Sequence, residues 1–418
     1  MKYTALKGVH DIFPPDSYLW QKIESAAKDV FTAYGFQEIR APVIESTDVF
    51  LRSIGETTDI VEKEMYTFSD KAGRSITLRP EGTAPVVRCF VEHHLYNLPV
   101  PQKFFYSGPM FRYERPQSGR FRQFYQLGAE AFGIAGPKID AEVLAMLKLF
   151  FERIGLRNLN FGVNSIGCEK CRPAYRQALV DFFSVKLNGL CPDCKRRHDH
   201  NPLRILDCKV DSCIALREGF PHVTAFLCAE CRDHFDALRT YAKLLAIPYE
   251  IKPEMVRGLD YYTRTTFEVT CEQLGAQNSV AAGGRYDRLV EDFGGPPTPA
   301  IGFAIGIERI ASLLKLTAAE EIPSPKVFIA THGEPAWGKG LIIADRLRRK
   351  GIWTELGYAG NSLKSQLRRA DRVCAQYVFI VGEDEIRSGK LQWKLLADGS
   401  QGEIGFDEVE AFLSPGQN

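Results

Sequence analysis

The sequence lacks what would place it in most specialised classes. No window approaches the ~20 consecutive apolar residues that cross a bilayer, so no membrane association is expected. The opening MKYTALKGVHDIFPP has no apolar stretch of the kind a secretory leader carries, and the expected compartment is the cytoplasm. There is no low-complexity run, and neither sign of charge is in excess: the net charge is +1 over 418 residues, a quarter of them charged. A polyanionic partner is therefore not announced by the whole chain and would have to be met by local patches. Without an oxidising compartment, the eleven cysteines read as thiols or metal ligands rather than a disulfide frame.

What is present divides into parts. DSYLWQKIESAAKDVFTAY (16–34) spaces its apolar residues for a helix that Gly35 closes. FQEIRAPVIES follows as an extended segment in which Pro42 bars a regular central strand. Segments 74–79, 103–107 and 265–272 predict strands, and 140–153 predicts an amphipathic helix. Between about 166 and 247 the composition changes, with eight of the cysteines and the basic run Lys195–His198; an inserted helical subdomain is expected there. TAAEEIPSPK marks a linker. Beyond it, strand and helix alternate as in a small α/β domain. The body before the linker predicts α+β: strands in meanders with helices to one side. The expected domains are 1–322, interrupted by the 166–247 insertion, and 326–418.

The most informative stretch is FRYERPQSGRFRQFYQLGAE (111–130), with Arg112, Arg115, Arg120 and Arg122 among aromatic residues. Both arms predict strands joined by a turn at PQSG. Alternation along the second arm puts Arg120, Arg122, Phe124, Gln126, Gly128 and Glu130 on one face and Phe121, Gln123, Tyr125, Leu127 and Ala129 on the other. The odd face is mostly apolar and reads as core. The even face files cations, a ring, an amide and a carboxylate over roughly 20 Å between Phe124 and Glu130, long enough for an extended nucleotide conjugate. A solvated basic hairpin fits the pattern equally. In LRPEGTAPV, Glu81 and Thr83 offer a carboxylate beside a hydroxyl, suited to an ammonium ion or, as the plainer reading, to capping a helix.

On these residues the chain resembles the class II aminoacyl-tRNA synthetases. APVIESTDVF is similar to their motif 1, FRYERPQSGRFRQFYQLGAE to motif 2 and AIGFAIGIERI to motif 3. Two further stretches, VRGLDYYTRTTFEV (256–269) and AGGRYD (282–287), with the opening KGVHDIFP, resemble the histidyl-tRNA synthetase family. The resemblance runs the length of the chain. It implies a class II catalytic domain with an antiparallel sheet flanked by helices, and an anticodon-binding α/β domain at the C-terminus whose basic helix carries Lys364, Arg368, Arg369 and Arg372.

The resemblance also implies roles. Arg112 would bind the α-phosphate of ATP, Arg120 and Arg309 the distal phosphates, and Phe124 the adenine, with Mg²⁺ bridging the outer phosphates. Glu81, Thr83 and Gln126 would hold the α-amino group of L-histidine. Glu130 and Tyr262, with Tyr261 beside them, would read its imidazole. Arg257 would sit by the histidine carboxylate and α-phosphate. Arg115 and Gln117 would approach the acceptor end of tRNA(His). Arg122 is as readily a structural or solvated cation as a ligand. Motif 1 implies a homodimer.

The insertion cysteines come as Cys168-x-x-Cys171, Cys191-x-x-Cys194, Cys208-x4-Cys213 and Cys228-x-x-Cys231. Three of the four spacings are those of tetrahedral thiolate zinc sites. The resembled family does not generally need zinc there, and small buried thiols between helices are the expectation. The rival readings are a non-catalytic regulatory paralogue of ATP phosphoribosyltransferase, a sister ligase for proline or threonine, and a zinc-dependent nucleic-acid module. RGLDYY, AGGRYD, the arginine set and the C-terminal domain speak against the first two.

Overall fold

Strand Gln123–Phe132 is the axis of the fold. It pairs antiparallel with Gln102–Phe111 on one side and Ala300–Gly306 on the other. The computed structural model describes residues 3–55, 58, 60–116, 119–256, 259–317, 322–358 and 362–413, and side chains throughout these except at 275–277 and 317. The main sheet runs Gln37–Glu38, Gln102–Phe111, Gln123–Phe132, Ala300–Gly306, Ser279–Arg285, Thr263–Thr270, Asn160–Ser165 and Tyr249–Ile251. It is antiparallel at its centre and parallel only at its two edge pairs. A small three-stranded sheet of Ile44–Ser46, Ser75–Leu78 and Tyr66–Ser69 stands apart. Chain around Pro42 is irregular between the first strand and Ile44, as a residue without an N–H requires.

The period-2 alternation decides which face does what. Leu127, Ala129 and Ala131 point into a large apolar core with helices Asp16–Ala33, Pro137–Arg153 and Ile307–Thr317. The other face, through Phe124 and Phe132, meets helix Thr83–Glu92 and a tyrosine-rich cluster of Tyr106, Tyr261, Tyr262 and Tyr286. One face thus stabilises by burial, and the opposite face is free to carry polar chemistry.

The two arms of the arginine ribbon are shorter than the alternation predicts. Regular pairing stops at Phe111 and resumes at Gln123, so Arg112, Arg115, Arg120 and Arg122 lie in the connection, where the period of two no longer fixes the face. Gln117, in the predicted turn, lies outside the described residues. The connection is braced from the N-terminus: the Arg122 N–H donates to the Gly8 carbonyl at 2.7 Å.

The insertion is helical, and its last helix belongs elsewhere. Helix Ala229–Leu244 buries Phe235, Leu238 and Ala242 in the main core, and so serves as the crossover that parallel strands 160–165 and 249–251 need. The self-contained part has its own small core built on Tyr175, Leu179, Phe183, Ile205 and Leu206.

The chain divides into two units, Met1–Glu320 and Glu321–Asn418; residues 318–321 of the linker, its acidic pair included, lie outside the described residues. The second unit is a five-stranded sheet in the order Thr354–Leu356, Val327–Thr331, Tyr377–Val381, Lys390–Leu395, Gln401–Gly405. Apolar clusters cover both faces. Its basic helix is Leu363–Arg372, capped by the Ser362 hydroxyl, with Arg369 3.8 Å from Glu355. Among the described residues no helix is long and apolar enough to cross a membrane.

Candidate active site

A cavity of about 240 Å³ opens on the tyrosine side of the main sheet, lined by Glu81, Thr83, Arg112, Glu114, Arg120, Phe121, Phe124, Gln126, Tyr261, Tyr262, Glu308 and Arg309 among others. It gathers nine of the residues singled out from sequence. Arg257 falls outside the described residues, Arg115 is exposed on the ribbon, and Glu130 lies behind the wall.

At one end the cavity is cationic. Arg112 donates from Nε to the Pro80 carbonyl at 2.9 Å and lies 5.2 Å from the centre of the Phe124 ring. Arg309 donates to the Gly119 and Ser279 carbonyls. Burial, and then the neighbouring Arg120 cation, pull its pKa down. Glu114, which the sequence reading passed over, is a carboxylate these cations share: it lies 3.2 Å from Arg120 and 3.9 Å from Arg112. Three guanidinium groups outnumber the two carboxylates beside them, Glu114 and Glu308, a cradle for an anion. Arg122 is not part of it; its guanidinium stacks 4.0 Å over the Tyr113 ring, a structural role.

The other end is acidic and hydroxylic. Glu81 does begin a helix: its carboxylate accepts the Thr83 and Ala84 N–H groups at 2.7 and 2.8 Å. Glu81 and Thr83 therefore sit on a helix start and not on an extended face, yet both still line the cavity. The Gln126 side-chain oxygen is buried without a hydrogen-bond partner among the described residues, an acceptor left for a ligand. Desolvation raises the Glu81 pKa.

Glu130 is fully buried one layer down. Its oxygens accept from Thr83 at 2.7 Å, Tyr286 at 2.5 Å and Tyr106 at 3.4 Å. Burial pushes its pKa up to about 8 against the pull of those hydroxyls. Because Thr83 gives its proton to Glu130, its lone pairs are left for a donor in the cavity. Two glycines make the arrangement possible. A Cβ on Gly128 would stand 2.3 Å from the Tyr106 hydroxyl, and one on Gly302 would stand 1.6 Å from the Glu130 carboxylate.

The signature segment Arg285-Tyr286-Asp287 works from beneath. Arg285, wholly buried, donates to the Ile134 carbonyl and lies 3.5 Å from Asp140, which also meets His234 at 2.9 Å. Buried charges held this way fix geometry more than they add stability, and here they hold the strand end that precedes Tyr286. A second, wider cleft of about 890 Å³ lies between the insertion and the same core, lined by Arg172, Arg176, His198, His200, Arg204, Asp260 and Tyr262; Tyr262 borders both.

An antiparallel sheet carrying a cationic cradle, an aromatic shelf and an acid-hydroxyl pocket on one face defines the catalytic domain of a class II aminoacyl-tRNA synthetase. Residues 8–310 match the family model described as histidyl-tRNA synthetase, and 326–415 that of an anticodon binding domain. The chain belongs to the histidyl-tRNA synthetase family. It is 54% identical to a histidine–tRNA ligase of Thermodesulfovibrio yellowstonii over 98% of this chain and 97% of the relative. With that of Syntrophotalea carbinolica it is 51% identical, over 99% and 98%. Among solved structures, the apo histidyl-tRNA synthetase of S. aureus aligns at a TM-score of 0.83 and 36% identity, covering 98% of this chain and 99% of that one.

Proposed function

We infer that the protein joins L-histidine to tRNA(His) in two steps through a histidyl-adenylate. The observation that carries this is a single cavity with three arginines at one end and Glu81, Thr83, Gln126 and Tyr262 at the other. In the first step a carboxylate oxygen of histidine attacks the α-phosphorus of ATP, and the bond to the β-phosphate oxygen breaks to release pyrophosphate. Two anions must meet, so the step needs placed positive charge and alignment more than a base. Arg112 would bind the α-phosphate, with Arg257 opposite it by the carboxylate. Arg120 and Arg309 would take the distal phosphates and Phe124 the adenine.

Glu81, the Thr83 hydroxyl and the Gln126 oxygen are three acceptors for an ammonium group, which has three donors. Tyr262, with Tyr261, would face the imidazole, backed by Glu130 acting through the Thr83 and Tyr286 hydroxyls. An apolar amino acid entering this pocket leaves its polar groups unpaired, a penalty that can reach roughly 10⁴–10⁵ in selectivity. Mg²⁺ arriving on ATP would neutralise phosphate charge, and Glu114 and Glu308 are the carboxylates within the cavity that fit it. In the second step a ribose hydroxyl of the tRNA terminus attacks the histidyl carbonyl and AMP leaves. Arg115 and Gln117 would approach the acceptor arm, as would the basic cleft under the insertion. The C-terminal unit would bind the anticodon stem. A tRNA-charging enzyme works in the cytoplasm.

ATP–pyrophosphate exchange with each amino acid in turn, without tRNA, tests the reading. Exchange with histidine alone is expected. Exchange with proline or threonine would keep the fold and overturn the pocket; none at all from folded protein would favour the regulatory reading. We also infer a homodimer, supported by Ile44 and Phe68, both about half exposed on the small sheet next to motif 1. Sedimentation velocity should give twice the mass of the 47.0 kDa chain; a monomer at micromolar concentration would refute it.

A further inference from the structure

We propose that the insertion holds two structural zinc ions, one in Cys168, Cys171, Cys228 and Cys231 and the other in Cys191, Cys194, Cys208 and Cys213. These eight residues form two separate groups of four sulfurs, each with every sulfur within 4.8 Å of the other three. Four thiolates around one ion at about 2.3 Å stand roughly 3.8 Å from one another, the edge of the tetrahedron. The separations here are 3.6 Å for Cys168–Cys171, 3.9 Å for Cys168–Cys228 and 3.9 Å for Cys191–Cys208. A disulfide would bring a pair to about 2.05 Å, and all eight cysteines are free. Sulfurs one tetrahedral edge apart enclose a single ion; an iron–sulfur cluster would push them wider.

The backbone is arranged for thiolates. The Cys228 N–H donates to Cys171 Sγ at 3.1 Å and the Cys191 N–H to Cys213 Sγ at 3.2 Å. Cys171, Cys191 and Cys228 each stand at the start of a helix, of thirteen, nine and sixteen residues, where the helix dipole favours negative sulfur. Four thiols in mutual contact have almost nothing to gain from one another as S–H groups, whose hydrogen bonds are weak. A divalent cation gives each tetrad its missing counter-charge.

The module needs such a clamp. Five of the thirteen fully buried residues in its core are these cysteines, and a core that thin rarely holds a small domain without a metal or cross-links. The second tetrad ties helix Pro192–His200 to the chain at 208–213. The first ties the chain entering the module to the chain leaving it. Arg172, adjacent to Cys171, donates to the Tyr262 carbonyl, so this tetrad also anchors one wall of the amino-acid pocket. The proposal does not depend on the ligase reading, since metal content is measured without substrate.

Elemental analysis of the intact chain, purified without chelator or metal-affinity resin, should find two equivalents of zinc per chain. Cys208→Ser and Cys228→Ser should each lower this to one. Replacement of zinc by cobalt in the wild-type chain should add thiolate-to-cobalt charge-transfer absorption with the strength of tetrahedral sites, a readout that does not require either variant to fold. Native thiol titration should leave the eight cysteines protected until a mercurial releases the metal. Zinc below a tenth of an equivalent, with the tetrad thiols freely titrating, overturns the proposal, as does stoichiometric iron. One equivalent overturns whichever site's variant leaves the zinc unchanged.

Discussion

Arg112→Ala is expected to lower kcat/KM for histidine-dependent ATP–pyrophosphate exchange by about 10³, or about 4 kcal/mol of transition-state stabilisation. The guanidinium is held in place by the Pro80 carbonyl, stands beside Phe124 and shares Glu114 with Arg120. A group fixed before substrate arrives can meet charge as it develops on the α-phosphoryl oxygens without reorganising. Arg112→Lys should recover little, because one ammonium replaces a planar fork of donors. Arg122→Ala, ten residues on, removes a cation that stacks on Tyr113 outside the cavity, and its effect should stay within a few-fold. Comparable losses at 112 and 122 would mean that the ribbon contributes bulk positive charge and not a placed ligand.

Glu130→Gln should raise KM for histidine by about 10², with a smaller change in kcat, because one of the Thr83 and Tyr286 hydroxyls then meets an amide N–H where it had an acceptor. The same substitution should alter stability in the opposite sense at high pH. Glu130 titrates near 8 in the folded chain, above the ordinary 4.5. Between those values the folded chain keeps a proton that the unfolded chain releases, so stability falls as pH rises from 4.5 to 8 and is level above. At about 1.4 kcal/mol per unit this amounts to a few kcal/mol. The glutamine cannot titrate, so the difference in Tm between variant and wild type should move in the variant's favour from pH 5 to pH 8.5. Glu81, also raised by burial, is common to both proteins and cancels. A pH-independent difference would show that Glu130 stays ionised throughout, and an unchanged KM would remove it from amino-acid recognition.

Much of this site could be read from residue order, and the exceptions have physical causes. Alternation sorted Phe124 and Gln126 from Leu127 and Ala129 correctly because residues 123–132 are a strand, paired throughout on one side and from Gln126 on the other. Arg120 reaches the same cavity, but alternation failed for Arg122, which turns onto Tyr113, because chain that leaves a sheet loses the period of two. Glu130 does fall on the predicted face, but how deep a residue lies along a strand is set by what packs above it, here Tyr106 over Gly128. Glu114 was legible in principle: a carboxylate two residues from Arg112 and six from Arg120 is the nearest counter-charge to both. The Asp140–Arg285 contact spans more than 140 residues, and nothing local announces it. Likewise the four cysteine pairs are plain in sequence, but which joins which is a property of the fold.

The neck of the insertion has an evolutionary consequence. Helix Ala229–Leu244 already completes the crossover between two neighbouring strands, and the chain enters and leaves the module with Cys168 and Cys228 sulfurs 3.9 Å apart. Everything between them is topologically a side branch. It could have been acquired, lengthened or replaced in descendants of one ancestor with a few bridging residues and no change of strand order. Apart from Arg172, which reaches the Tyr262 carbonyl, mutation there leaves the sheet untouched, and the two parts of the gene can drift at different rates.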